Sequence, residues 1–372
     1  MGKSMNIFEK IIFFWKRPKV IIITGQGQAC TKEAIYQVLK KHFKIGDEIL
    51  IFETDLKKRR EFEFLLKKSS LPILAVTHIG DISFEKDFFA GDREKTVEIR
   101  KLAKILPAYG HLILNFDDET VREIKDFNPP TAPSHKLTFG FQEGADFRAT
   151  DIKYQASEGS EGGKDGKALF DLNTGVNFKI NYQGNIVPVW LEKLFGKEQI
   201  YSALAATAVG TIFDLNLVEI SQALKNYQSL PGKMRLIEGI KNSRILDDSE
   251  SATIFSMAEA VEILGKIQGF KRKIAVLGDV ISVGKYTIEA HEAIGERAAK
   301  NSDLLFTFGP RAKFIAQGAN TKGMALEKIF QFDTIDEGKL KLKEEIKEGD
   351  LILVNGSKEM EMEKIVEEIK AL

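Results

Sequence analysis

Short apolar runs bounded by polar turns recur along the chain. They alternate with segments in which apolar residues return every three or four positions, the pattern of strands and helices taking turns in layers. The first cycle is Val20-Ile21-Ile22-Ile23, a glycine-containing turn and a helix expected over 31–42. Residues 48–53 predict a second strand, and a charged helix follows from about 56 to 68. A third strand is expected at 73–77 and a fourth at 112–114, closing on Asn115-Phe116-Asp117-Asp118. After Pro129-Pro130 the texture changes: residues 136–141 and 176–182 alternate apolar and polar positions, as half-buried antiparallel strands do. Residues 157–166 between them have the composition of a flexible loop. Helical patterns return over 197–228, and Pro231-Gly232 marks a boundary. A second series follows, with strands at 244–246, 273–277, 304–307 and 351–354 and a last helix from about 360. The expected fold class is α/β. An amphipathic helix over 1–19 precedes a P-loop-type domain over 20–229 with a small antiparallel β segment, and a Rossmann-like domain over 230–372 ends the chain.

The N-terminal run Ile11-Ile12-Phe13-Phe14-Trp15 is followed by Lys16-Arg17-Pro18-Lys19. It falls short of the ~18 apolar residues of a membrane span, and it lacks the charge order and cleavage site of a signal peptide. Two readings stand. One is an interfacial anchor, with Trp15 at headgroup level and the basic cluster on anionic lipid. The other is a helix packing Phe8, Ile11, Ile12 and Trp15 onto the body and ended by Pro18.

Composition narrows the classes. The chain of 372 residues carries 54 Lys+Arg and 54 Asp+Glu, a formal net charge of zero. That balance argues against a nucleic-acid binder working by bulk positive charge and against an acidic tail. A hydrophobic share of 43% is too high for a disordered chain. The single cysteine, Cys30, excludes an intramolecular disulfide framework and a cysteine-cluster zinc site, and points to a reducing cytoplasm. The histidines His42, His78, His111, His135 and His291 show no metal-ligand spacing. Lys57-Lys58-Arg59-Arg60 reads as a solvated helix face.

The strand–turn–helix from Val20 to Glu33 is the chief candidate for chemistry. Its Thr24-Gly25-Gln26-Gly27 turn would aim backbone N–H groups and a helix N-terminus at an anion. A working phosphate loop adds Gly-Lys-[Ser/Thr], the Lys for the β/γ-phosphates and the hydroxyl for Mg²⁺. Here those positions hold Gln28 and Ala29, and Lys32, a turn into the helix, is expected to point away. An ordinary glycine turn accounts for the pattern equally. Cys30 is either a thiol activated by the helix N-terminus or a small side chain filling a former Ser/Thr slot.

The segment from Thr24-Gly25 to Ala34-Ile35 resembles the ATP loop of the Mur ligases, nearest the UDP-N-acetylmuramoyl-tripeptide:D-alanyl-D-alanine ligase (MurF) branch, one residue shorter. Other segments follow in the family's order. Thr77-His78-Ile79-Gly80, Leu106-Pro107-Ala108-Tyr109-Gly110 and Leu114-Asn115-Phe116-Asp117-Asp118 resemble Thr-Asn-Ile-Gly, Leu-Pro-x-x-Gly and Leu-Asn-Ala-Asp-Asp. Residues 200–206 look like the helix after its Gly-x-His-Asn motif. Leu230-Pro231-Gly232-Lys233-Met234, the Asp247-Asp248-Ser249 segment, Leu277-Gly278-Asp279 with His291, and Val354-Asn355-Gly356-Ser357-Lys358 resemble its C-terminal motifs.

The resemblance implies an ATP-dependent amide-bond ligase of peptidoglycan precursor synthesis. A substrate carboxylate would take the γ-phosphoryl of ATP with Mg²⁺, and an amine would capture the acyl phosphate. Nucleotide and cell-wall precursor are the implied partners. By position, Gly25, Gln26, Gly27, Gln28, Ala29, Cys30, Gln199 and Asp247 would bind the nucleotide, Lys233 and Asp248 would serve catalysis, and Glu53 would hold the metal. Glu53 reads equally as a solvated strand-end carboxylate.

Departures gather at the residues that do this work. Beside Gln28 and Ala29, the family's metal-site His aligns with Ser83 and its carboxylated Lys falls near Ile99. Its His-Asn becomes Glu198-Gln199, its Pro-Gly-Arg-Met has Lys233, and the Glu after Gly-Asp-Met is Ser282. The sugar-nucleotide domain has no counterpart before Val20. Losing one preorganised donor typically costs ~10²–10³ in rate. Combined losses therefore lead to a second expectation, a non-catalytic pseudo-ligase acting as scaffold or regulator, with residues 5–19 offering a weak membrane contact.

Overall fold

Uninterrupted Val, Ile and Leu runs build parallel strands covered on both faces, and two such sheets organise the chain. The computed structural model describes residues 7–54, 59–79, 93–125, 135–155, 175–250, 252–281 and 283–371. The segments expected around 129–130 and 157–166, and the candidates Ser83 and Ser282, lie outside the described residues. Two units form. The first comprises Met1–Ile152, Asn177–Trp190 and Lys197–Gln228, the second Lys153–Val176, Leu191–Gly196 and Ser229–Leu372.

The first unit opens with α1 (Ile7–Lys16), β1 (Lys19–Thr24), α2 (Gln28–Leu39), β2 (Ile49–Glu53), α3 (Arg59–Lys68) and β3 (Pro72–Val76). It continues with α4 (Arg93–Ile105), β4 (His111–Asn115), α5 (Glu119–Lys125) and β5 (His135–Gly140). Then come β6 (Phe147–Gln155), β7 (Gly175–Tyr182), β8 (Asn185–Glu192), α6 (Lys197–Ile212) and α7 (Leu217–Leu224). The eight strands lie in the order β2-β1-β3-β4-β5-β6-β7-β8. β1 is central to its half, pairing in parallel with β2 through Ile21↔Ile51 and with β3 through Ile21↔Ile73. Alternation along β1 divides the core. Val20 and Ile22 join Leu74, Val76, Leu112 and Leu114 beneath α3, α4 and α5, in the cluster that holds Phe62, Leu66, Leu102 and Val121. α2 packs against α6 and α7.

Three expectations are corrected here. The strand expected at 136–141 to be antiparallel is β5, which pairs in parallel with β4 through Leu112↔Lys136 and Leu114↔Thr138. Burial along β5 grades from exposed His135 to buried Thr138, Phe139 and Gly140 instead of alternating, so the alternation of its sequence marks neither an exposed face nor a strand direction. The helix expected over 31–42 is α2, which starts three residues earlier because Gly27, left-handed at φ 71°, turns the backbone directly into it. In α1 it is Phe13 that packs inward, its ring 5.7 Å from that of Phe64, while Ile12 and Trp15 face out. The side chains of Phe8 and Ile11 lie outside the described residues.

The second unit carries β9 (Arg235–Glu238), β10 (Arg244–Asp248), α8 (Ile254–Lys266), β11 (Arg272–Gly278) and α9 (Thr287–Asn301). It closes with β12 (Leu304–Phe308), α10 (Lys313–Thr321), β13 (Ile329–Phe332), α11 (Ile335–Glu345), β14 (Asp350–Asn355) and α12 (Glu363–Ile369). The order is β13-β12-β11-β14-β10-β9, parallel except for the antiparallel edge pair β9–β10. Odd and even positions serve opposite cores. Leu246, Ala275, Leu277 and Leu353 meet α8, α9 and α10, whereas Ile245, Val276, Phe306 and Val354 meet the helices α11 and α12. The β-strands at both ends of this order, β9 and β13, are too short to stand out from the sequence pattern.

Two glycines let α9 and α10 touch backbone to backbone. A Cβ on Gly295 would collide with the Ile315 carbonyl oxygen and lie 2.7 Å from the Ala319 nitrogen; one on Gly318 would collide with the Glu292 carbonyl oxygen. On α9, buried His291 is held neutral. The Val280 N–H donates to its Nε2 at 3.2 Å, so the ring proton sits on Nδ1, 2.6 Å from the Thr287 carbonyl oxygen. Burial holds its pKa below the ordinary 6.5, and burial also lowers that of His111, which stacks on His135 across β4 and β5.

Gly295→Ala is expected to destabilise the protein by about 1–3 kcal/mol, because rigid backbone cannot yield to the added methyl, as chemical unfolding would measure. The histidines set a pH dependence. Folded His111 and His291 bind protons less readily than their unfolded forms, so their stabilisation is complete above 6.5 and fades as pH falls. Burial raises the carboxyl of neighbouring Asp279 above its ordinary 3.8, an effect of opposite sign centred on more acid conditions. The unfolding midpoint should therefore drop between pH 7.5 and 5.5, by at most about 1.4 kcal/mol per pH unit for each histidine. His291→Gln should flatten that slope.

Candidate functional site

Burial of β1 on both faces forces its C-terminal end to turn at once, and Gly25 and Gly27 make the turn. Gly25 has φ 108°, and a Cβ there would collide with Thr77 Oγ1 and lie 2.7 Å from the His78 carbonyl oxygen. The Gln26 N–H donates to that oxygen at 2.7 Å, and Thr77 donates its hydroxyl to the Gln26 carbonyl at 2.5 Å. The loop is thus tied to the end of β3. It delivers the chain to the N-terminus of α2, whose first N–H groups have no intrahelical acceptors and attract negative charge.

A carboxylate stands there. Glu198, in the first turn of α6, lies over the loop, with Cγ 3.0 Å and Oε1 3.4 Å from where a Gly27 Cβ would be. Its Oε1 and the Oε1 of Gln28 are buried without hydrogen-bond partners. Lys32 does not supply the missing cation to the loop; its Nζ pairs with Glu53 Oε1 at 2.9 Å, both side chains partly exposed. The carboxylate read as a metal ligand is therefore engaged by an ammonium group.

Behind the loop, Cys30 is buried, its Sγ 4.0 Å from Gln199 Nε2. Tyr227 donates its hydroxyl to Gln199 Oε1 at 2.5 Å, and burial drives that phenol well above its ordinary range. Thr31 Oγ1 and Ser202 Oγ lie 3.1 Å apart. Cys30 and Gln199 thus meet, as buried groups joining α2 to α6. Asp117 accepts from the Phe141 and Gln142 N–H groups and the Tyr201 hydroxyl, while Asp118 accepts from the Ile79, Thr120 and Val121 N–H groups. Ile99 is a core residue of α4. Among the described residues no three His, Cys, Asp or Glu side chains are grouped to hold a metal ion. With a carboxylate over Gly27, Gln28 at the lysine position and Lys32 engaged elsewhere, the donor set does not fit a magnesium-bound triphosphate.

Lys233, Asp247 and Asp248 lie in the second unit, around the turn at Gly232, which has φ 71°. Asp247 Oδ2 accepts from the Gly232 N–H at 2.8 Å, and Oδ1 accepts from the Ser249 hydroxyl at 2.7 Å. Asp248 Oδ1 accepts from the Met234 N–H at 3.2 Å, and Oδ2 from Asn355 Nδ2 at 2.5 Å. Both aspartates are buried. They brace the turn that carries Lys233, whose Nζ lies 3.4 Å from the Glu250 carbonyl oxygen. Asn355 sits opposite Asp248 in the β10–β14 register, with its Oδ1 buried and unpartnered.

The sequence pattern did not single out Lys32 as the partner of Glu53, or Tyr227 as the partner of Gln199. Both pairings join positions remote in sequence. Glu198 was visible only as a departure from the His of the resembling motif.

Residues 232–358 match the family described as "Mur ligase, glutamate ligase domain". The chain is 23% identical over 376 residues to the UDP-N-acetylmuramoyl-tripeptide--D-alanyl-D-alanine ligase of Bacillus subtilis (strain 168), across 94% of this chain and 76% of that enzyme. A match to the Escherichia coli (strain K12) enzyme of the same name is 30% identical over 193 residues, 52% of this chain and 41% of that one. The fold is shared with the crystal structure of MurF ligase from Thermotoga maritima in complex with ADP, at a TM-score of 0.71 and 20% identity, over 96% of this chain and 81% of that. Residues 232–358 are therefore a Mur ligase C-terminal domain. Beyond that domain the chain is similar in sequence and fold to MurF ligases.

Asp248→Ala should remove the acceptor of two buried donors and lower stability by at least about 1 kcal/mol, seen as an earlier unfolding midpoint. A carboxylate kept only for chemistry would leave the midpoint unchanged.

Proposed function

We propose that this protein is a non-catalytic MurF-like pseudo-ligase that keeps the family's scaffold without its nucleotide chemistry and serves cell-wall precursor synthesis in the cytoplasm as a scaffold or regulator. The observation that carries this is Glu198 lying over Gly27, with Gln28 in place of a lysine. Two unit charges about 4 Å apart interact by about 4 kcal/mol at an effective dielectric near 20, so a phosphate entering this cradle meets substantial repulsion. The Glu198 carboxylate thus stands close to the place at the N-terminus of α2 where a phosphate would bind. Lys32, bound to Glu53, neutralises the carboxylate that the resemblance assigns to Mg²⁺.

The second reading is an active ATP-dependent amide ligase, and the presence of Asp247, Asp248 and Glu53, with Lys233 keeping a positive charge, favours it. Calorimetry with ATP, with and without Mg²⁺, separates the two. Wild-type protein is expected to show no submillimolar, Mg²⁺-dependent affinity, and such affinity would overturn the pseudo-ligase reading. Glu198→Gln, which removes the charge and keeps the shape, should strengthen ATP binding at least tenfold. Adding Gln28→Lys and Ala29→Thr should strengthen it further.

A further inference from the structure

We propose that the face formed by α1 and α3 docks on an anionic lipid surface. It rests on a surface of the first unit that is separate from the phosphate loop, so it stands whether or not that loop binds nucleotide.

Among the described side chains of α1, that of Phe13 packs into the body. Phe13, 4% exposed, packs against Phe64 and the core of α3 and α4, leaving Ile12 54%, Phe14 56% and Trp15 83% exposed. Three large apolar side chains are exposed within four residues, an apolar exposure of the kind that marks interaction sites. Ile12, Trp15 and Lys16 are spaced i, i+3, i+4 and share one side of the helix. Phe14 flanks them, with the Lys68 ammonium 5.7 Å over its ring.

The charge around this patch selects the partner. Residues 10–19 and 59–68 hold eight basic and two acidic residues, within a chain whose total is balanced at 54 and 54. Lys16, Arg17, Lys67 and Lys68 are exposed beside the apolar residues. One carboxylate intervenes: Asp47 pairs with Lys16 at 2.5 Å, which holds the Asp47 carboxyl below its ordinary range. An exposed indole with basic residues on flexible stems suits a bilayer interface, the ring lying among headgroups and the ammonium groups reaching lipid phosphates. A second copy of the chain fits poorly, because an isologous contact would set like charges against each other. Among the described residues no helix is long and apolar enough to cross a membrane, so the contact is peripheral. A short apolar segment binds weakly alone, and basic residues near an anionic surface add about fivefold each.

The test is flotation of the full chain with vesicles of phosphatidylcholine alone or with 30 mol% phosphatidylglycerol (an experimental setting, about one anionic lipid in three), alongside Trp15 fluorescence. Expected results are binding to anionic vesicles only, a blue shift of emission, and loss of binding at high salt. Trp15→Ser with Phe14→Ser should weaken binding at least tenfold, as should Arg17→Glu with Lys68→Glu. Their unfolding midpoints should be unchanged, since these side chains are exposed. Absence of binding, equal binding to neutral vesicles, or binding indifferent to both pairs of substitutions would overturn the proposal. So would dimerisation that Trp15→Ser abolishes while vesicles leave the wild-type emission unshifted.

Discussion

The double-sided burial of β1 is the constraint on which the first unit depends. Val20 to Ile23 have no exposed face, with β2 on one edge, β3 on the other and helical layers above and below. A strand so enclosed can leave the sheet only by a sharp turn at its end, and Gly25 and Gly27 are required there because the backbone is left-handed or touches Thr77. The turn brings the N-terminus of α2 to the sheet's edge as an electropositive pole. That pole is a product of packing and survives the loss of any particular chemistry. In this chain a carboxylate of α6, that of Glu198, lies over the turn leading to it.

The second unit shows the same economy at a different turn. Asp247 and Asp248 end a buried strand, where uncompensated carboxylates would be costly. Backbone N–H groups of Gly232 and Met234, the Ser249 hydroxyl and the Asn355 amide surround them. Residues that resemble a nucleotide and catalytic pair therefore have a sufficient structural reason to be there. Their presence in the sequence cannot by itself distinguish an enzyme from its inactive relative. The side chain over Gly27 bears on that question more directly, because it sets the charge a ligand would meet there.

The strands expected from the sequence lie within a residue or two of those observed because burial on both faces writes apolar runs, whereas β6 and β8 were not among those expected. Direction was not legible, and β5 is the case in point: its sequence alternates, yet its C-terminal half is buried on both faces and it pairs in parallel with β4. The start of α2 was misplaced by three residues because a left-handed Gly27 leaves no hydrophobic signature. That small shift had a consequence for the site. With the helix beginning at Gln28, Lys32 sits a turn in and on the side facing the end of β2, where Glu53 waits. In α1 the apolar run was legible, but which of its members faced inward depended on the rings of α3, far along the chain.

Chain-wide neutrality turns out to conceal a division of labour. Equal numbers of basic and acidic residues say nothing about where each sign is concentrated. Around Gly27 the sign is negative, since Glu198 is present, Gln28 is neutral and Lys32 has turned to Glu53. Along α1 and α3 basic residues exceed acidic ones and surround exposed aromatic rings. A nucleotide ligase would concentrate positive charge in its phosphate loop. In this chain the basic excess lies instead along α1 and α3, beside exposed aromatic rings, which is the distribution the lipid-docking proposal draws on.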